Sequence, residues 1–163
     1  QDIARLRGEV RAAALLVMSP AGVAALGKGT PFTVLAVEKA FPGYGVIPIT
    51  HPATGSATFE VRPSGRDTAR FIVESDWTRG YVALVRSRDP AVRGPAGEVI
   101  GQTLLGALPA EARTLCTGVE PGLLVCPDPA APATFFRVYS TPAEGEPESS
   151  AVLTELRYLA PAP

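Results

Sequence analysis

The chain has one histidine, His51, in the segment Ile49-Thr50-His51-Pro52, and this limits the chemistry open to it. A lone histidine cannot supply a histidine-pair metal site. It could act as base for a serine nucleophile, yet there is no Gly-x-Ser-x-Gly elbow, and Ser64 sits in a Pro63-Ser64-Gly65 turn that its turn propensity explains. Carboxylate pairs for glycoside cleavage would have to come from Glu74, Asp76, Asp89 and Glu98, all at predicted strand ends where solvated charge is the ordinary state. The run from Gly22 to Gly27-Lys28 begins like a phosphate loop. Gly29, however, stands where a hydroxyl must reach the metal, and the run follows a helix and precedes a strand, the reverse of the required order. Glu144, Glu146 and Glu148 match no calcium-loop spacing, and Pro147 stiffens the segment between them. These residues read as turns, a connector and a solvated acidic loop, so the expectation is a non-catalytic chain with no cofactor and no bound metal.

Two other groupings carry more information. Arg62, Arg66, Arg70, Trp77 and Arg79 fall within two predicted strands and their connections. A basic face with one exposed aromatic suits a single-stranded nucleic acid, arginine taking phosphates and the ring stacking on a base. The competing reading pairs Arg70 with Glu60 across a hairpin and lays Trp77 over the core. The second grouping is Cys116 and Cys126, which flank a Pro121-Gly122 turn that would bring their sulfurs together. A disulfide there requires an oxidising compartment. Two separate buried thiols are the alternative, and a metal site fails for want of four soft ligands.

The elements that must position these residues form one domain over residues 1–163. Hydrophobic residues at 46% and charged residues at 19% exclude dominant disorder, and a net charge of -1 provides no bulk field for a polyanion. Residues 1–18 predict an amphipathic helix with Ile3, Leu6, Val10 and Val17 on its packing face. One short helical turn is expected at residues 23–26. Residues 31–159 then read as mainly antiparallel strands. Phe32 to Val37 is apolar on both faces, and Ala57 to Val61 turns through residues 63–67 into Ala69 to Val73, the clearest hairpin. Tyr81 to Val85 reads as a central strand, Glu98 to Leu105 as a weak one interrupted by Gly101, Pro127 to Pro132 as a stiff spacer, and residues 134–139 and 152–159 as the last strands. Residues 160–163 are an extended tail. No segment approaches eighteen consecutive apolar residues. The absence of Asn and the excess of Arg over Lys suit either a thermophile or a GC-rich genome.

An N-terminal amphipathic helix, an antiparallel sheet and a disulfide loop near the C-terminus, in that order, resemble the headgroup of type IV pilins and type II secretion pseudopilins. The stretch from Gln1 to Ala13 is similar to the part of a minor pilin helix just beyond its membrane half, and Cys116 and Cys126 match the family's C-terminal loop, although that loop is often larger. The resemblance implies an α+β, pilin-like fold whose helix packs on the sheet. It also implies a non-catalytic minor subunit in assembly, adhesion or DNA uptake during natural transformation. The full-length form would be anchored in the inner membrane by an apolar half-helix ahead of Gln1, partnered through that helix by other pilin subunits, and displayed on the cell surface with DNA or a surface ligand as possible contacts. The rival reading is a free secreted or envelope β-sandwich binding module. If the arginine face binds DNA, replacing Arg62, Arg66 and Arg70 with Ala is expected to lower the salt slope of binding; no binding by the parent protein at low salt ends that reading.

Overall fold

In the computed structural model, residues 2–7, 16–118 and 120–163 are described. Residues 2–7 are helical (α1). Ile3 and Leu6 on this helix are 67% and 52% exposed, and Val17 beyond it is 40% exposed, bridged to Arg93. The expected packing face is therefore not seated on the sheet at Ile3, Leu6 or Val17, and Val10 lies outside the described residues. Strands β1 (Met18–Ser19) and β2 (Gly22–Val23) follow as a small hairpin. Gly22 is required there: its φ is +121°, and a Cβ would lie 2.2 Å from the Leu26 carbonyl oxygen. The helical turn expected at residues 23–26 is instead this strand end, with Val23 bridged to Leu26.

Helix α2 (Val34–Ala40) replaces the strand expected at residues 32–37. The Thr33 hydroxyl accepts the Ala36 N–H and caps the helix. Helical spacing then buries Val37, Ala40 and Phe41 while leaving Leu35 exposed. A run apolar at nearly every position satisfies either period, and the cap with the tertiary surface beneath it decides for helix.

The main sheet holds seven strands: β3 (Tyr44–Thr50), β4 (Ala57–Pro63), β5 (Phe71–Ser75), β6 (Val82–Ser87), β7 (Leu123–Asp128), β8 (Ala131–Ser140) and β9 (Val152–Leu159). Their spatial order is β3-β4-β5-β6-β9-β8-β7, and every pairing is antiparallel. Two meanders are thus joined edge to edge along β6 and β9. One core-facing row runs through Phe59, Val73, Val85, Tyr158 and Phe135, all buried and in register across five strands. Burying each such side chain contributes about 1.5–3 kcal/mol before chain entropy is charged against it.

The chain is therefore α+β, with a short N-terminal helix and a large antiparallel sheet. The expected hairpin is β4–β5 and the expected central strand is β6, fourth of seven. Residues 98–105 do not form a strand; they carry isolated bridges from Val99 to Arg93 and from Leu104 to Val152. A 3-10 turn at Leu105–Ala107 and helix α3 (Ala110–Arg113) come next. Residues 127–132 are no spacer: they close the β7–β8 hairpin, where the Asp128 carboxylate accepts the Ala130 N–H and Asp128 pairs with Ala131.

Cys116 and Cys126 are joined in a disulfide between the segment after α3 and edge strand β7. Thr117 and Val125 exchange backbone hydrogen bonds beside it. The bond closes a short loop, so Cys116→Ser with Cys126→Ser is expected to cost about 2–3 kcal/mol. Urea unfolding of the parent with and without reductant checks this, because the reduced parent should match the double variant.

Candidate functional site

The arginine group is not one surface. Arg66 lies in the exposed turn between β4 and β5, whereas Trp77 and Arg79 lie in the turn between β5 and β6, at the opposite end of β5. Arg62 is held by Glu60 on its own strand, with Nε and Nη2 donating to Oε1 at 3.1 and 3.0 Å. Arg70 does not pair with Glu60, whose cross-strand neighbour is Ile72. It donates from Nε to Asp89 and from Nη1 to the Tyr44 hydroxyl, both at 2.9 Å. Trp77 does not cover the core; it is 93% exposed on a turn that the Asp76 carboxylate holds by accepting the Thr78 hydroxyl and the Gly80 N–H.

The outward face of the sheet is likewise charge-matched. Arg86 bonds Glu74 and Glu155, Arg88 bonds Glu155, and Arg157 bonds Glu155 and Glu120. A phosphate contact to Arg62, Arg70, Arg86, Arg88 or Arg157 would have to compete with a carboxylate already on the guanidinium. His51 is exposed just after β3, 3.3 Å from the Thr58 hydroxyl.

A different place in the fold gathers buried polar groups. Between the core-facing side of β8 and the connection from residue 94 to residue 112 lies a cavity of about 360 Å³. Arg137 and Tyr139 from β8, Asp128 from β7, and Glu98, Thr103 and Leu108 from the connection line it. Arg137 stands opposite Leu156 in the β8–β9 register, on the core side. Its guanidinium is buried and paired twice: Nε donates to Glu98, and Nη1 donates to Asp128 at 2.8 Å. It also lies 5.3 Å from the centre of the Phe135 ring.

Each partner is fixed by its own loop. The Glu98 carboxylate accepts the Ala96 N–H at 2.6 Å, and the connection wraps closely enough that a Cβ on Gly94 would meet that carboxylate at 2.7–2.9 Å. A side chain at position 94 would require the Glu98 carboxylate to shift. Burial works to raise the Asp128 carboxyl, but the bonds from Arg137 and from the Ala130 and Ala131 backbone hold it below the usual carboxylate range. Burial likewise opposes the Arg137 charge, and the bonds from Asp128 and Glu98 outweigh it, so the guanidinium stays protonated. Removing one member of such a cluster leaves a buried unpaired charge and costs about 3–5 kcal/mol.

Tyr139 is fully buried, and its hydroxyl has no hydrogen-bond partner among the described residues. Sequence reasoning took Glu98 for a solvated strand-end carboxylate, where it is in fact buried, and passed over Asp128, Arg137 and Tyr139, which are distant from it in sequence and sit within an apparent spacer and strand. The one available signal was Arg137, a charge between Phe136 and Val138 in an otherwise apolar strand.

No family model matches the chain, and no curated protein matches its sequence. Among solved structures, the fold is similar to that of the uncharacterized protein yfeY from Escherichia coli, with a TM-score of 0.67 and 18% identity over 87% of this chain and 98% of that one. At that identity the likeness is one of fold.

Burial pushes the Tyr139 phenol up to about 12, with the Arg137 charge working against it and Glu98 adding to the rise. The unfolded chain would ionise near pH 10 while the folded protein keeps its proton. The stabilising contribution is therefore complete below about pH 10 and is lost as pH rises toward 12. Absorbance titration at alkaline pH should show a late-ionising tyrosine that disappears in Tyr139→Phe; an unchanged late step in the variant assigns it elsewhere.

Proposed function

We propose that this chain is an extracytoplasmic, non-catalytic binding module whose ligand site is the cavity under the 94–112 connection. The observation that carries the reading is the cavity itself, lined by the buried Arg137–Glu98–Asp128 cluster and at the small end of the range for ligand sites. The Cys116–Cys126 bond supports export, since cytosolic thiols are ordinarily kept reduced. Glu98 and Asp128 are both engaged by Arg137, an arrangement that holds charge in place and leaves neither carboxylate free as a base.

A pilin-like filament subunit is the second reading, and one observation favours it. Ile3 and Leu6 on α1 face outward, as an apolar pair would if α1 packed against helices of other subunits. Fractionation of the native host separates the two. The binding-module reading expects oxidised protein outside the cytoplasm and none in sheared filaments. Enrichment in sheared filaments would instead establish the subunit reading, and a reduced cysteine pair in the cytoplasm would overturn both.

A further inference from the structure

We propose that the cavity holds a ligand with an apolar body by its carbonyl oxygen, which accepts from Arg137; this rests on the binding-module reading above. A guanidinium has about five N–H donors. Among the described residues Arg137 uses only Nε, toward Glu98, and Nη1, toward Asp128. Its Nη2 bonds none of them, yet it is not sealed in the way the Tyr139 hydroxyl and the Arg113 Nε are. The side chain is 7% exposed and lines the cavity, so the cavity is the opening through which Nη2 is reached. A charged donor so placed makes a strong bond with any acceptor that enters.

The charges beside it favour a neutral acceptor. Arg137 already faces both Glu98 and Asp128, and the charged part of the wall is therefore net negative. A carboxylate ligand could reach Nη2 but would meet both of those carboxylates, whereas a carboxamide brings the same oxygen without the charge. Its N–H also has a place to go. Glu98 accepts side-chain bonds from Ala96 and Arg137, and an ionised carboxylate has about four acceptor sites, which leaves capacity for a ligand donor. A donor beside an acceptor on the wall is met by an acceptor beside a donor on an amide.

The rest of the wall suits an apolar body. Ala107, Leu108, Pro109 and Ala112 line the side formed by the connection. The volume is more than twice the ~150 Å³ that holds a benzene molecule, leaving room for a ring and an amide group.

Amide-shift NMR titration of the disulfide-bonded protein with benzamide, benzoate and benzylammonium tests the proposal; the last carries the same ring with no acceptor. Benzamide should move the amides of Gly97, Thr103 and Ala112 and bind about tenfold or more tightly than benzylammonium. Arg137→Lys keeps a cation between the two carboxylates but loses the Nη2 donors, and should weaken benzamide about tenfold while leaving benzylammonium unchanged. Ala107→Phe, at an exposed position of the wall, should block benzamide with the Arg137 cluster intact, and it decides the site if the lysine variant does not fold. Benzoate binding more tightly than benzamide, and weakened by Arg137→Lys, supports the Arg137 contact with a carboxylate as the source of the oxygen. Benzylammonium as tight as benzamide, or benzamide indifferent to Arg137→Lys, overturns the carbonyl contact and leaves the cavity a binding site. If none of the three probes moves these amides, or if Ala107→Phe leaves their binding unchanged, the cavity is overturned as a ligand site as well.

Discussion

The ladder between β6 and β9 is the joint on which the rest of the molecule depends. Each meander assembles from neighbours in sequence, but strands 82–87 and 152–159 must find one another across the whole second half of the chain. Two kinds of contact set their register. On the core side Val85 lies opposite Tyr158, both buried in the continuous apolar row. On the other side Glu155, only 1% exposed, takes Arg86 from β6, Arg88 just beyond its end and Arg157 from β9. A slip of one residue would turn the apolar row outward and leave that carboxylate buried without its cations, so both faces penalise the same error.

The cavity follows from this topology. Because β9 and β8 stand between β6 and β7, the chain leaving β6 must cross about three strand spacings, roughly 14 Å, before it can enter the far edge. That crossing is the 88–122 segment, and it passes over the core-facing side of the second meander. It is fastened at several points: Glu98 to Arg137, Leu105 to the Ala151 carbonyl, and Cys116 to Cys126. Between these points the roof stands away from the sheet, and polar groups that would otherwise be buried in a packed core line a space.

Charge is used differently on the two sides of the sheet. On the outer face, guanidinium groups from neighbouring strands converge on Glu155, itself only 1% exposed, an arrangement that sets register. On the inner side a single guanidinium is closed off with two carboxylates, where the low dielectric strengthens every contact and makes an unpaired group expensive. The same residue types thus act as a fastening on one face and as the chemical content of a cavity on the other.

Much of the sheet was legible in the residues. Alternation marked β4 and β5 on either side of a Pro-Ser-Gly turn, two-sided apolarity marked β6 as central, and a Pro-Gly turn between cysteines marked the disulfide; each signal comes from a local rule of period, turn or reach. Where local rules were silent or double-valued, tertiary contacts decided. Residues 34–40 satisfy both periods and became helix, because burial of Val37 and Phe41 and the Thr33 cap favour it. Arg62, Arg70 and Trp77 are close in sequence but were divided by the length of β5, since a strand sends its two ends to opposite edges of the sheet. The cavity was invisible because Glu98 reaches Asp128, Arg137 and Tyr139 only once the connection is laid over the β7–β8 hairpin. A sequence determines its own turns and faces, but a site assembled from three segments exists only when the tertiary fold brings them together.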